Sequence, residues 1–416
     1  MKLSRRIRFV IFAALFFALV VDSSPGQEGA NRSRNAAISA DRQPLNDSEA
    51  RRSDDSSDDK KSSSKTAAER AQETKKKKET ARKLADEALR AYDGFLKQFG
   101  FKENGRAKTT SRFVFVYNTS DPYIEWLSAL MEEVASGFEK YVVKIGFKRV
   151  ALEKPMLVYV FATREEFDAF ERNLYAQSGK MGDYENRENN SGGFYVAGPG
   201  GLDLTVLYDQ TSVEEARVNF SESSGERDSK KPKKFSRSDV KREANSIKMR
   251  DDAVYNTETI VHETTHQMSY NYKVLNPKIN HPAWIVEGMA MTLEPSDGSA
   301  TLGWKYRNKR PINALRYDAF SRFAREDPSF RLVDELIVSN APIEQLRKDG
   351  YCYSWALFYY CYNKRSKELA KYIAINNQKK ENEKEIPEDE RRADFVECFG
   401  EIGEFKKDFI KYMRSL

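Results

Sequence analysis

Hydrophobic and polar positions divide the chain into stretches that can bury a core and stretches that cannot. From about Pro25 to Ser64 the residues are Ser, Asp, Arg, Asn and Lys with almost no large apolar side chain. Such a segment cannot bury enough surface to offset the entropy of ordering, so a disordered linker is expected at 25–64. Thr66 to Phe99 is rich in Ala, Glu, Lys and Arg and carries Leu84, Leu89, Tyr92, Phe95 and Leu96 toward its end. That pattern predicts a charged helical segment within 65–110 whose last half docks onto a domain.

The next stretch alternates between strand and helix patterns. Ser111 to Tyr117 is a short β-rich run, and Ser120-Asp-Pro, with Glu125 in the early turns, opens a long amphipathic helix from Asp121 to Ile145. Pro155 to Ala162 reads as a buried strand leading into a helix from Arg164 to Leu174. Strand, helix, strand and helix in series predict a mixed sheet with helices packed on it, an α+β fold. Within Gly192 to Tyr208 two β-runs separated by Gly-Pro-Gly-Gly predict a hairpin. Thr211 to Arg250 is polar and predicts a structureless insertion, a surface loop with a mobile lid beside the cleft as the alternative. A helix is expected to start near Thr257, with Thr257 as its cap and Ile260 and Val261 facing the core, and to end before Asn276-Pro277. From about Arg310 the chain reads helical, over Asn313 to Arg325, Val333 to Leu336, Gln345 to Asn376 and Asp389 to Met413. This division predicts a main domain at 111–309, with the polar insertion at 211–250, and a helical C-terminal lobe at 310–416 that closes a cleft.

Charge and the N-terminus add a location. Lys2, Arg5, Arg6 and Arg8 precede the apolar run Phe9 to Val21, with small residues at Ser23 and Ser24, which is the order of a secretory signal over residues 1–24. The apolar run is short of the roughly 20 residues of a membrane span, so cleavage near Ser23 is expected, with an uncleaved anchor as the alternative. The mature protein is expected in the periplasm, cell envelope or extracellular space, with no stable membrane insertion. Charged residues make up 32% of the chain, and Lys75 to Lys78 form a basic block. A solvated helix face explains that block, and no nucleic-acid partner is expected. Cys352 and Cys361 lie too far apart on one helix to bridge, leaving a Cys398 bridge to either or free buried thiols.

The decisive chemistry sits in five residues. The chain has 3 histidines, and two of them belong to His262-Glu263-Thr264-Thr265-His266. Side chains at i and i+4 share one helix face, so His262 and His266 can offer two neutral nitrogens to one zinc ion while Glu263 projects beside the water that the ion activates. Zinc lowers the pKa of that water toward neutrality, and Glu263 is placed to take its proton and pass it to a leaving amine. A catalytic zinc site wants a third protein ligand. Glu287, in Pro282-Ala-Trp-Ile-Val-Glu-Gly-Met-Ala290, is a single acid in an apolar helical stretch and needs a partner such as a metal. His281, just before that helix, is the rival ligand, or a loop histidine.

His-Glu-x-x-His followed by Trp284-x-x-Glu287-Gly288-x-Ala290 resembles the gluzincin metallopeptidases. With Gly193-Phe-Tyr195 and Tyr351-Cys-Tyr-Ser-Trp355-Ala-Leu, it is also similar to a family of exported bacterial proteins of unknown function with a gluzincin-like peptidase domain. The resemblance implies a zincin-like domain in which His262, His266 and Glu287 bind zinc and Glu263 is the general base. It also implies that the glutamate helix packs on the active-site helix, with Gly288 and Ala290 allowing close approach, and that the strand Leu202 to Tyr208 forms the cleft edge pairing with an extended substrate. Tyr351 and Tyr353 become candidates to stabilise an oxyanion, or else core aromatics. Thermolysin-like members carry an aspartate four residues after the third ligand, where this chain has Met291, so the partner that orients a ligating histidine has no sequence assignment. The aminopeptidase motif Gly-x-Met-Glu-Asn has no counterpart before His262. Together these features predict an exported zinc-dependent hydrolase of peptide or protein substrates, with a non-catalytic cell-envelope binding protein that retains a zinc site as the alternative.

Overall fold

A computed structural model describes Leu19–Asp22 and residues 67–178, 192–197, 203–210, 236–248, 253–294, 312–341 and 349–416, apart from isolated positions. The expected linker, the Gly-Pro-Gly-Gly turn, most of the expected signal and the first part of the polar insertion lie outside the described residues. The fold is α+β. Its sheet orders β2 (Arg106–Thr109), β3 (Phe113–Tyr117), β4 (Met156–Phe161), β6 (Asp203–Tyr208) and β5 (Gly193–Ala197), and the short β1 (Leu19–Asp22) pairs antiparallel with the outer edge of β5. Strands β3, β4 and β6 run parallel, while β2 and β5 flank them antiparallel.

Parallel strands covered on both faces read as continuous apolar runs, and β3 and β4 do so. Alternate side chains then enter two different cores. Val114, Val116, Tyr159 and Phe161 face a core closed by helix α1 (Ala67–Gln98) and helix α3 (Arg164–Ser178). Phe113, Phe115, Val158 and Val160 face the larger core, which holds α2 (Asp121–Lys144) and the helices that carry the candidate site. The second half of α1 docks through Tyr92, whose hydroxyl donates to the Val160 carbonyl at 2.8 Å, and through Phe95 and Leu96. Helix α2 opens as its sequence predicts, with the Ser120 hydroxyl accepting from the Tyr123 amide.

Several expectations are corrected. Part of the polar insertion is helical: α4 (Arg237–Lys248) packs on α2 and buries Ala244 and Ile247, an apolar pair too sparse to stand out in so charged a stretch. Strand β6 is interior, flanked by β4 and β5, so Leu202 to Tyr208 cannot be the cleft edge, and Leu202 itself lies outside the described residues. On that side of the sheet β5 is flanked by β6 and β1, and β1 is the outermost described strand. The C-terminal helices are shorter than their periodicity predicts: α9 (Gly350–Lys364) and α10 (Ser366–Asn376) break at Arg365, and α11 (Glu388–Phe399) and α12 (Ile402–Met413) break at Gly400, whose φ of 82° is left-handed. Helices α7 (Ala314–Glu326) and α8 (Arg331–Val338) precede them. All three cysteines are free and buried. Among the described residues no helix is long and apolar enough to cross a membrane.

Candidate metal centre

The histidine pair lies on α5 (Ala253–Asn271), which starts ahead of the expected cap, so that Thr257 is buried inside the helix. Residues 256–270 are all buried. Polar side chains there must therefore find partners within the protein. Thr264 and Thr265 return their hydroxyls to the Ile260 and Val261 carbonyls, and Gln267 donates to the Leu157 carbonyl at 2.9 Å and accepts from Thr205 at 3.0 Å. Asn271 donates to Asp203 at 2.9 Å. Residues 263, 267 and 271 share one helix face, so these bonds to the sheet fix the rotation of α5 and turn the adjacent face of 262 and 266 toward α6 (Ala283–Leu293).

Helix α6 is anchored by Trp284, which is fully buried and stacks on Tyr372 of α10 with ring centroids 5.6 Å apart. That anchor presents Glu287 to the two histidines. Glu287 Oε2 lies 3.1 Å from His262 Nε2, and Oε1 lies 3.7 Å from His266 Nε2. One ligand atom from each of the three residues falls within 4.8 Å of the others. Ligands about 2.0–2.1 Å from a tetrahedral zinc stand about 3.3–3.4 Å apart, a spacing the two observed distances bracket. His266 Nε2 is buried with no hydrogen-bond partner, an arrangement that costs free energy unless something else supplies one. The donor set fits a metal ion. Among the described residues this is the only cluster of its kind.

Over residues 256–382 the chain is similar to a protein family of unknown function, DUF1570. That stretch begins inside α5 and ends beyond α10, so it contains His262, Glu263, His266 and Glu287. No curated protein matches the chain.

The charges around the centre are unequal. Burial disfavours the charged form of His262, yet hydrogen bonds to Glu287 and Glu294 outweigh it and push the imidazole up to about 10. His266, buried beside that positive ring, is held well below the usual histidine range. Burial raises Glu287 against the pull of His262. Glu294 is lowered to about 2, because Arg316 and His262 overcome its burial. Glu258, one turn before His262, is raised to about 7 by burial and by the Glu294 charge. A metal ion among these carboxylates would take over the compensating role that the His262 proton plays without it.

Glu294 is the residue that the sequence does not reveal. It follows α6, is buried, and lies 2.8 Å from His262 Nδ1, on the side of the ring opposite Glu287. Asn313 Nδ2 donates to its Oε2 at 2.8 Å, and Arg316 approaches both carboxylate oxygens at 3.2 and 3.3 Å. Met291, the position where thermolysin-like enzymes place the orienting acid, is instead buried in the apolar core. The sequence signal for Glu294 was a lone acid closing an apolar helix, which reads as an ordinary helix end.

His281 is not part of the cluster. Its Nε2–H donates to the Asn276 carbonyl at 3.0 Å, and burial lowers its pKa to about 4, so it serves as a neutral turn histidine. Tyr353 is fully buried between Phe320 and Phe330, with centroids 5.1 and 6.1 Å away, and acts as a core aromatic. Tyr351 is half-buried, with the Arg316 guanidinium 6.0 Å from its ring centroid. Gly288 does allow a close approach, but to α9 and not to the histidine helix.

Proposed function

We infer that the protein is an exported zinc-dependent hydrolase of amide bonds, a metallopeptidase of gluzincin type. The observation that carries this reading is the convergence of the two histidine Nε2 atoms on one buried carboxylate at 3.1 and 3.7 Å, with Glu263 on the neighbouring face of the same helix. His262, His266 and Glu287 would hold the ion. Two imidazoles and one carboxylate form a donor set suited to zinc, and three protein ligands are the number that leaves a position for chemistry. Bound there, zinc supplies a Lewis acid that acidifies water and polarises a carbonyl.

Glu263 then receives the proton of the attacking water and returns it to the departing amine nitrogen. Its full burial favours that shuttle by keeping the carboxylate poorly hydrated. The side of β5 away from β6 pairs antiparallel with Leu19–Asp22, a stretch within the expected signal. Its loss with the signal would open that side to an extended peptide substrate, and strand addition supplies backbone hydrogen bonds without demanding one side-chain sequence. The basic N-terminus and the following apolar run support export.

One observation favours a second reading. His262, Glu263, His266 and Glu287 are each at most 3% exposed, as suits an ion that staples two helices in a non-catalytic envelope protein. Zinc content by elemental mass spectrometry and hydrolysis of a peptide library, each measured on wild type and Glu263→Gln, separate the two. The hydrolase reading expects about one zinc per chain in both proteins and a loss of roughly 10²–10⁴-fold in cleavage for the variant. Zinc in both proteins with no cleavage by wild type supports the staple, and no zinc in wild type overturns both.

A further inference from the structure

We propose that Glu294 is the positioning residue of the metal centre, and that helix α7 completes the centre by holding Glu294 in place through Asn313 and Arg316. The proposal rests on the reading that His262, His266 and Glu287 bind a metal. It adds an acid that no motif marks and a helix far from the histidine pair in sequence.

The ring of His262 has two nitrogens with different tasks. Nε2 faces Glu287 at 3.1 Å and must present a lone pair to act as a ligand. Nδ1 must then carry the proton, and the proton needs an acceptor. Glu294 Oε1, 2.8 Å away, provides it. An imidazole whose far nitrogen donates to a carboxylate is fixed in tautomer and in ring orientation, and is a more basic ligand.

Glu294 is itself constrained from the other side. Oε2 accepts from Asn313 Nδ2 at 2.8 Å and from Arg316 Nε at 3.3 Å, while Oε1 accepts from Arg316 Nη2 at 3.2 Å as well as from His262. Asn313 performs three tasks at once. Its Oδ1 caps α7 by accepting from the Arg316 amide at 3.2 Å, and its Nδ2 also reaches the Met291 carbonyl at the end of α6 at 3.3 Å. The start of α7 is thereby tied both to the glutamate helix and to the back of the His262 ring. A buried carboxylate surrounded by donors on every side cannot rotate, so neither can the imidazole that depends on it.

This arrangement makes the amide variant informative. Glu294→Gln must place an NH₂ group where one carboxylate oxygen was. At the Oε2 position that group would meet two donors, Asn313 Nδ2 and Arg316 Nε. At the Oε1 position it would meet one donor, Arg316 Nη2, and the ring nitrogen of His262. The second arrangement carries fewer clashes between donors. It turns Nδ1 into an acceptor and moves the ring proton to Nε2, the atom that must bind the metal.

The experiment uses the full chain and Zn²⁺ alone, with affinity measured by competition against a chelator and the Nδ1–H of His262 followed by its ¹H and ¹⁵N imidazole shifts in the zinc-loaded protein. Wild type is expected to bind zinc and to show a downfield Nδ1–H at His262, the mark of a short bond to the Glu294 carboxylate. Glu294→Gln is expected to bind about 10–100-fold more weakly and to lose that downfield shift. A role confined to packing would leave the shift unchanged. Zinc binding by wild type, together with affinity in Glu294→Gln within twofold of it, overturns the proposal. Absence of zinc binding in wild type overturns the metal-site reading on which it rests. Should Glu294→Gln fail to fold, Asn313→Ala provides the test: a several-fold weaker affinity is expected, and an unchanged one overturns the role of α7.

Discussion

The Cα of Gly288 faces α9 so closely that a methyl group on it would stand 2.4 Å from Phe358 Cβ and 2.5 Å from the Ser354 carbonyl oxygen. Real Cβ atoms do not approach backbone at such distances. The residue beside Glu287 is therefore a glycine because the glutamate helix lies directly on α9.

Gly288→Ala should destabilise the protein by about 1–3 kcal/mol, the usual cost of overpacking a tight core. It should also weaken zinc binding, because the helix shift that relieves the contact moves Glu287 away from the histidines. Thermal unfolding and a chelator titration check the two effects separately. A variant with wild-type values in both would mean that α6 and α9 slide apart at little cost.

Removing the metal should lower thermal stability. His262, His266 and Glu287 are buried and belong to two different helices, so an ion held by them in the folded form alone would stabilise it by mass action. At free zinc a thousand times the dissociation constant the gain is about 4 kcal/mol. Unfolding scans with zinc and with a chelator read this difference, and Glu287→Ala should abolish it while remaining folded. Coincident scans for the wild type would argue against a metal.

His281 gives the protein an acid-sensitive turn. Its folded pKa is lowered from 6.5 to about 4, chiefly by burial. The unfolded chain then binds the proton more readily, so this group's contribution to stability is full above pH 6.5 and is lost as pH falls toward 4. A shift of that size corresponds to at most about 3 kcal/mol. His281→Gln retains an N–H for the Asn276 carbonyl and does not titrate. Denaturant unfolding at pH 7 and pH 4.5 should show wild type losing more stability than the variant, and equal losses would contradict the burial of a neutral ring.

Tyr92 fastens α1 to the sheet through bonds to Asn118 Oδ1 at 2.9 Å and to the Val160 carbonyl at 2.8 Å, with its ring stacked on Phe161 at 5.0 Å. Tyr92→Phe keeps the ring and should cost about 1–2 kcal/mol for the unsatisfied acceptors, whereas Tyr92→Ala should cost about 3–5 kcal/mol. Equal costs for both would show that the hydroxyl, and not the ring, holds the helix.

The sequence alone was enough for whatever depends on spacing along one element. Two histidines at i and i+4 share a helix face wherever that helix sits, and a single acid in an apolar helix has to be paired, so His262, His266 and Glu287 were legible as a set. The apolar runs of β3 and β4 and the capped start at Ser120 were legible for the same reason, since they express local stereochemistry. Only tertiary structure decided that Glu294, Asn313 and Arg316 close the back of the site, that β6 is an interior strand, and that Gly288 faces α9. Each of these is a contact between segments far apart in the chain, and no periodicity marks it. A carboxylate at a helix end looks the same in sequence whether it meets water or the far nitrogen of a ligating histidine, and the difference lies in which helix the folded chain brings against it.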